Sequence, residues 1–149
     1  MDIDRSALVE AVRVCACFNL RRAARAVTRL YDEVLGPGGL RSTQFVALVA
    51  IQAEDSPTLP RLAKDLGVDR STLTRNLKPL VRADLVKLSL TAGSKSATAR
   101  LTAKGERTLL RCLPLWRQAQ DRFEAKVGSR EWHAMLGGLT IVTAGAPDA

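Results

Sequence analysis

Between Asp4 and Leu35 the apolar positions Val12, Ala16, Leu20, Ala23, Val27, Leu30 and Val34 recur at steps of three and four. Such spacing draws a stripe down one helical face and predicts one long helix or two abutting ones. Arg13, Arg21, Arg22, Arg25 and Arg29 fall mostly off the stripe. Gly36-Pro37-Gly38-Gly39 ends it, because glycine supplies left-handed backbone and proline cannot continue the ladder. A helix this long cannot bury its face against one small domain, so it is expected to pack on a partner chain.

Shorter patterns follow. Ser42 is placed as the N-cap of a helix from Thr43 to Ala53, patterned by Phe45, Leu48, Val49 and Gln52. After the loop Glu54-Asp55-Ser56-Pro57, Thr58 caps a helix that tolerates Pro60 in its first turn, turns Leu62, Ala63 and Leu66 inward, and stops at Gly67. Asp69 caps the next helix, whose seam is Leu73, Leu77, Leu80 and Val81. Pro79 frees the carbonyl of Arg75 there and predicts a mild kink, since the seam continues past it. From Leu85 to Thr91 the period drops to two, with Val86, Leu88 and Leu90 opposite Lys87, Ser89 and Thr91. The alternation resumes with Ala97, Ala99 and Leu101 against Ser96, Thr98 and Arg100, so the loop Ala92-Gly93-Ser94 closes a hairpin. A helix from Ala103 to Val127 follows, carrying Leu109, Leu110, Leu113, Trp116, Ala119 and Phe123, with Pro114 inside it. A last helix after Ser129 carries Trp132, Met135, Leu136, Leu139 and Val142. The predicted fold is mainly α with a small β-hairpin: a winged helix-turn-helix over 41–102, flanked by dimerisation helices over 1–40 and 103–149.

Composition agrees with packed helices, because 46% of the residues are hydrophobic but only 4% aromatic, which leaves a core of Leu, Val and Ala. A net charge of +8 points to a polyanion, either nucleic acid or an acidic membrane surface. Its distribution favours nucleic acid: Thr58 to Arg100 holds nine basic residues and three acids, most of the excess in the whole chain. No apolar run approaches the roughly 18 residues of a membrane span, and the acidic start is unlike a signal peptide. A cytoplasmic protein is expected. Three cysteines are an odd number for such a compartment and argue against a disulfide framework.

Chemistry concentrates on the helix after Asp69. Arg70, Ser71, Thr72, Thr74, Arg75 and Lys78 lie off its seam. Arg75 is the candidate for a base edge, since arginine grips both acceptors of guanine; Ser71, Thr72 and Thr74 are candidates for bases or phosphates, and Arg70 and Lys78 for phosphates.

The stretches LPRLAKDLGVDRSTLTRNLKPLVRADLV and LTAKGERTL, in this order of elements, resemble the MarR family of transcription regulators over roughly residues 10 to 143. The resemblance implies a homodimer displaying two winged modules to a palindromic double-stranded DNA operator, most often as a repressor, with a cleft for small effectors. Where that family carries an Asp and an Arg in its wing, Gly93 and Lys95 stand here. Lys95 still supplies charge but lacks the flat multi-donor head of arginine.

Cys15 and Cys17, two apart on a helix, are about 200° apart around it, which argues against their bonding each other or sharing an ion. With His133 as the single histidine, no metal site or other cofactor is expected. CFNLRRAARAVTRLY is similar to the OhrR-type organic-hydroperoxide sensors of the same family, in which the cysteine at Cys17 reacts and a tyrosine at Tyr31 comes from the other subunit. A second tyrosine of that site falls at Ser42. Two readings stand: Cys17 senses organic peroxide with Cys112 as resolving thiol, or all three cysteines are small core residues. Outside the regulator class, the competitors are a non-specific architectural DNA binder and a thiol peroxidase, the latter weakened by a Cys17 expected in mid-helix.

Overall fold

The computed structural model describes residues 4–90 and 96–145. Asp4 caps α1 (Arg5–Val14) by accepting the Ser6 N–H at 2.9 Å, and the chain then leaves helical geometry at Cys15 (φ −64°, ψ 112°) before α2 (Ala16–Leu35). Of the two predicted options the abutting pair is the one adopted. Asn19 secures the break, its amide donating to the carbonyls of Arg13 (3.1 Å) and Cys15 (2.9 Å). A short 3-10 turn, Gly36–Gly38, stops α2, and Gly39 at φ +86° turns the chain.

Ser42 is not the cap of α3 (Ser42–Ala53) but its first helical residue. Its N–H and hydroxyl both donate to the Asp32 carboxylate of α2 at 2.7 Å, so a side chain ten residues upstream takes the capping role. The buried face of α3 is Phe45, Ala47, Leu48 and Ile51, while the expected Val49 and Gln52 are exposed. This rotation has a packing cause: α3 touches α2, α4, α5, α6 and β2, which enclose it on the Ala47–Ile51 side as well.

Thr58 caps α4 (Leu59–Asp65) as expected, with Pro60 in the first turn and Gly67 at φ +61° beyond it. Asp69 caps α5 (Arg70–Arg82), which runs through Pro79. Leu73, Leu77 and Leu80 are each 1% exposed, but Val81 has rotated off the seam and lies open. The hairpin pairs β1 (Val86–Ser89) antiparallel with β2 (Thr98–Leu101), in a register of Val86 opposite Leu101 and Ser89 opposite Thr98. The stretch before α4 lies along the outer edge of β2 at its Thr98 end, where the N–H of Leu59 bonds the Ala97 carbonyl and that of Ala99 the Pro57 carbonyl. Only Val86 of the expected β1 face is buried. Leu88 and Leu90 are exposed, although Ala99, opposite Leu88 in the ladder, is fully buried.

Thr102 caps α6 (Ala103–Val127). A Cβ at Gly105 would stand 2.1 Å from the Leu85 carbonyl oxygen, so only glycine lets α6 lie against the turn that feeds the hairpin. Leu109, Cys112, Ala119 and Phe123 face inward, but the expected Leu110 points out. The chain closes with α7 (Ser129–Ala144), tied to α6 by Trp132 edge-on to Phe123 at 4.9 Å. The core joins Leu35, Leu48, Ile51, Leu62, Leu73, Leu77, Leu80, Val86 and Cys112. Neither α1 nor α7 contributes a buried residue.

Candidate nucleic-acid interface and thiol positions

The seam of α5 fixes what its other face presents. With Leu73, Leu77 and Leu80 inward, Arg70, Ser71, Thr74, Arg75 and Lys78 are exposed and Thr72 is half-buried. Arg61 and Arg100, also in the basic segment, are held by their own surroundings, Arg61 by Asp65 at 2.9 Å and Arg100 by the Ser56 hydroxyl at 2.7 Å. Among the described residues no acid pairs with Arg70, Arg75 or Lys78, so these cations remain available. Lys95 and Gly93 lie outside the described residues.

The hydroxyls of this face are already engaged. Ser71 donates to Asp69 Oδ1 at 2.6 Å, the Thr72 N–H to the same oxygen at 2.8 Å, and the Thr72 hydroxyl to Oδ2 at 2.8 Å. Arg75 donates through its guanidinium to Thr72 Oγ1 at 3.2 Å, and Thr74 Oγ1 donates to the Arg70 carbonyl at 2.8 Å. The hydrogen bond from Ser71, followed by those from Thr72, holds the Asp69 carboxyl well below the usual carboxylate range. The sequence pattern identified Asp69 as a cap; the commitment of two hydroxyl protons to it depends on side-chain rotamers that no spacing rule encodes.

The thiols divide into two environments. Cys15 is the extended cap of α2, its sulfur accepting the Phe18 N–H at 3.5 Å, and Cys17 is the second residue of that helix; both are exposed. They do not share a helix, so the 200° argument against their meeting fails, and Cys17 is in a first turn rather than in mid-helix. Cys112 is fully buried in α6, where its thiol donates to the Gly38 carbonyl at 3.4 Å. Burial pushes that thiol up, against a smaller opposing effect of Arg111. Because Gly38 follows the far end of α2, Cys112 and Cys17 are separated by about 30 Å of helix within one chain. The structure does not bring them together.

Tyr31 is about 21 Å along α2 from Cys17. Its hydroxyl donates to Gln120 Oε1 at 2.5 Å, and Gln120 donates in turn to Glu124 at 2.8 Å. Burial pushes the phenol up, and the charge of Glu124 adds to it. Ser42 serves Asp32 instead. Sequence reasoning found neither Gln120 nor Asp32, since each acts on a residue of another helix. His133 bonds the Ser129 carbonyl through Nδ1 at 2.6 Å, and Trp116 stacks on Phe45 at 6.2 Å. Among the described residues no group of histidines, cysteines and carboxylates is arranged to hold a metal, and no single helix is long and apolar enough to cross a membrane.

Comparison with known proteins agrees with this geometry. The sequence profile of the MarR family matches residues 40–89, the stretch from α3 through the first strand of the hairpin. The crystal structure of the transcriptional regulator MosR from M. tuberculosis is similar at 36% identity and a TM-score of 0.78, over 91% of this chain and 100% of that one. A structure of MosR in complex with DNA is similar at 40% identity and a TM-score of 0.73, over 87% of this chain and 98% of that one. A mutant of MarR from E. coli, complexed with operator DNA, is 24% identical with a TM-score of 0.78, over 89% and 96% of the two chains, a likeness of fold. No curated protein sequence matches.

Proposed function

The chain belongs to the MarR family of DNA-binding transcription regulators, and on that premise we propose that it is a cytoplasmic homodimer that binds a palindromic operator and represses transcription from it. The observation that carries this reading is the exposed face of α5, where Arg70, Arg75 and Lys78 stand without acidic partners among the described residues, beside three hydroxyls on a capped helix. The segment 41–102 is the reading module. The segments 1–40 and 103–149 are the hub, in which the open apolar faces of α1 and α7 cover their counterparts in a second copy. The half-sites of a palindrome lie about 35 Å apart, so a shift of a few ångströms between the two α5 helices removes contacts at both. Arg75 reads a base edge, Arg70 and Lys78 hold phosphates, and Lys95 adds charge from the wing.

Relief of repression comes from a small ligand in the cleft between hub and module, or from oxidation of Cys17 by an organic peroxide. The exposure of Cys15 and Cys17 supports thiol control over an inert core role, whereas the burial of Cys112 favours a packing role over that of a resolving thiol. For Tyr31 to reach the thiol of a second copy it must leave Gln120. A peroxide-consuming enzyme is the weaker reading, because the single histidine, His133, is bound to its own helix in α7. Selection of bound DNA from a random pool, with and without organic hydroperoxide, is the test. A palindrome should emerge and be lost after one equivalent of peroxide in the wild type but not in Cys17→Ser. Enrichment of no sequence would leave an architectural DNA binder, and wild-type indifference to peroxide would leave ligand control.

A further inference from the structure

A hydroxyl has one proton to give and two lone pairs with which to accept, so its partner on DNA depends on where its proton already is. On the reading face of α5 all three hydroxyl protons are spent inside the protein: Ser71 and Thr72 give theirs to the two oxygens of Asp69, and Thr74 gives its own to the Arg70 carbonyl. Thr72 Oγ1 also receives the Arg75 guanidinium, which ties the arginine to the same carboxylate through one intervening oxygen. What Ser71 and Thr72 have left are acceptor lone pairs. Phosphate oxygens accept only, so they are poor partners for such a face. The exocyclic amino groups of the major groove, N6 of adenine and N4 of cytosine, donate and are suitable ones.

We propose that Asp69 is a positioning residue for sequence readout, which fixes Ser71 and Thr72 as hydrogen-bond acceptors aimed at amino-bearing base edges and holds Arg75 in register beside them. The inference rests on the reading of α5 as the DNA-contacting helix. Capping alone does not need this arrangement, because one carboxylate oxygen already serves the Thr72 N–H; the second oxygen is occupied by the Thr72 hydroxyl.

Asp69→Asn separates the two roles. Asparagine caps a helix as well as aspartate does. Its Oδ1 keeps the Thr72 N–H and the Ser71 hydroxyl, but its NH₂ replaces the oxygen that took the Thr72 proton. That NH₂ now donates to Thr72 Oγ1, and the threonine proton turns outward as a donor. Selection from a random DNA pool with the full-length chain, wild type against Asp69→Asn, should retain the palindrome. At one base pair per half-site the preference should move from cytosine or adenine toward guanine or thymine on the contacted strand, by roughly tenfold. In a Thr72→Val background the same Asp69→Asn change should leave that position unmoved. If Asp69→Asn selects the wild-type motif, or weakens all sequences equally, Asp69 is a cap alone and the inference is overturned while α5 remains the reader. If the wild type itself selects no motif, the reading of α5 fails and takes the inference with it.

Discussion

The module and the hub differ in where their apolar surface goes. Leu62, Leu73, Leu77, Leu80 and Val86 of the module are all at most 1% exposed, and the same core takes in Leu35 and Cys112 from the nearer ends of the hub helices. At the far end the hub leaves Val9 at 67% and Ile141 at 75% exposure, with Leu8, Val12, Val14, Met135 and Val142 open beside them. Sequence periodicity is equally good in both regions, so pattern alone does not decide burial. What decides it is enclosure: α2, α4, α5, α6 and β2 surround α3, whereas α1 packs on α2 and α7 on α6. In the proposed regulator, the reader closes its core within one chain and the hub is completed by association.

The largest test of that contrast compares one substitution in each region. Leu77→Ala should destabilise the protein by about 2–5 kcal/mol, the usual result of a cavity in a closed core, with a loss that does not change with protein concentration. The pair Val9→Glu and Ile141→Glu should instead leave the module folded, abolish the dimer in sedimentation and remove any concentration dependence of Tm. A monomeric, fully stable wild type would erase the distinction, as would a Val9→Glu/Ile141→Glu protein that still sediments as a dimer.

A smaller effect is expected where the two regions are joined. Asp32, at the end of α2, accepts both the N–H and the hydroxyl of Ser42 at the start of α3. Asp32→Ala should cost about 1–2 kcal/mol, as removal of a helix cap does. If the joint aligns module and hub, operator affinity should fall by more than the stability change explains. A stability loss with unaltered DNA affinity would reduce Asp32 to an ordinary cap.

That joint also marks the limit of what the chain's own text discloses. The start of α6 was legible because Thr102 is a local signal, and α5 because Asp69 precedes an apolar seam. The capping of Ser42 by Asp32 was not legible, since nothing in a short window links a carboxylate on one helix to a backbone donor on another. The break at Cys15 was hidden for a related reason. The apolar stripe runs through it from Val12 to Ala16 and Leu20, and it is Asn19, reaching back to two carbonyls, that secures the interruption. At the reading face the residue identities were legible, but the direction of each hydroxyl was set by rotamers around Asp69. The hold of Gln120 on Tyr31 was not legible either, because the two are 89 residues apart in sequence.

The smallest expected effect uses that same tyrosine to ask whether the seam between α2 and α6 excludes water. Tyr31 is the only tyrosine in the chain, so tyrosinate absorbance reports it alone. Burial first, and the charge of Glu124 second, raise its folded-state pKa above the ordinary 10.0. An acid whose neutral form is favoured by folding contributes stability that is complete below the unfolded value and is lost as pH rises through the folded one. Stability should therefore begin to fall near pH 10, where the unfolded chain ionises first, and Tyr31→Phe should remove that part of the slope. The native absorbance midpoint should lie above the midpoint in denaturant, by a modest amount because the ring is only half-buried. Coincident midpoints would mean that water reaches the phenol freely. Tyr31 would then be loose enough to leave Gln120 for a second copy, and the hub would be open along the seam as well as at its far end.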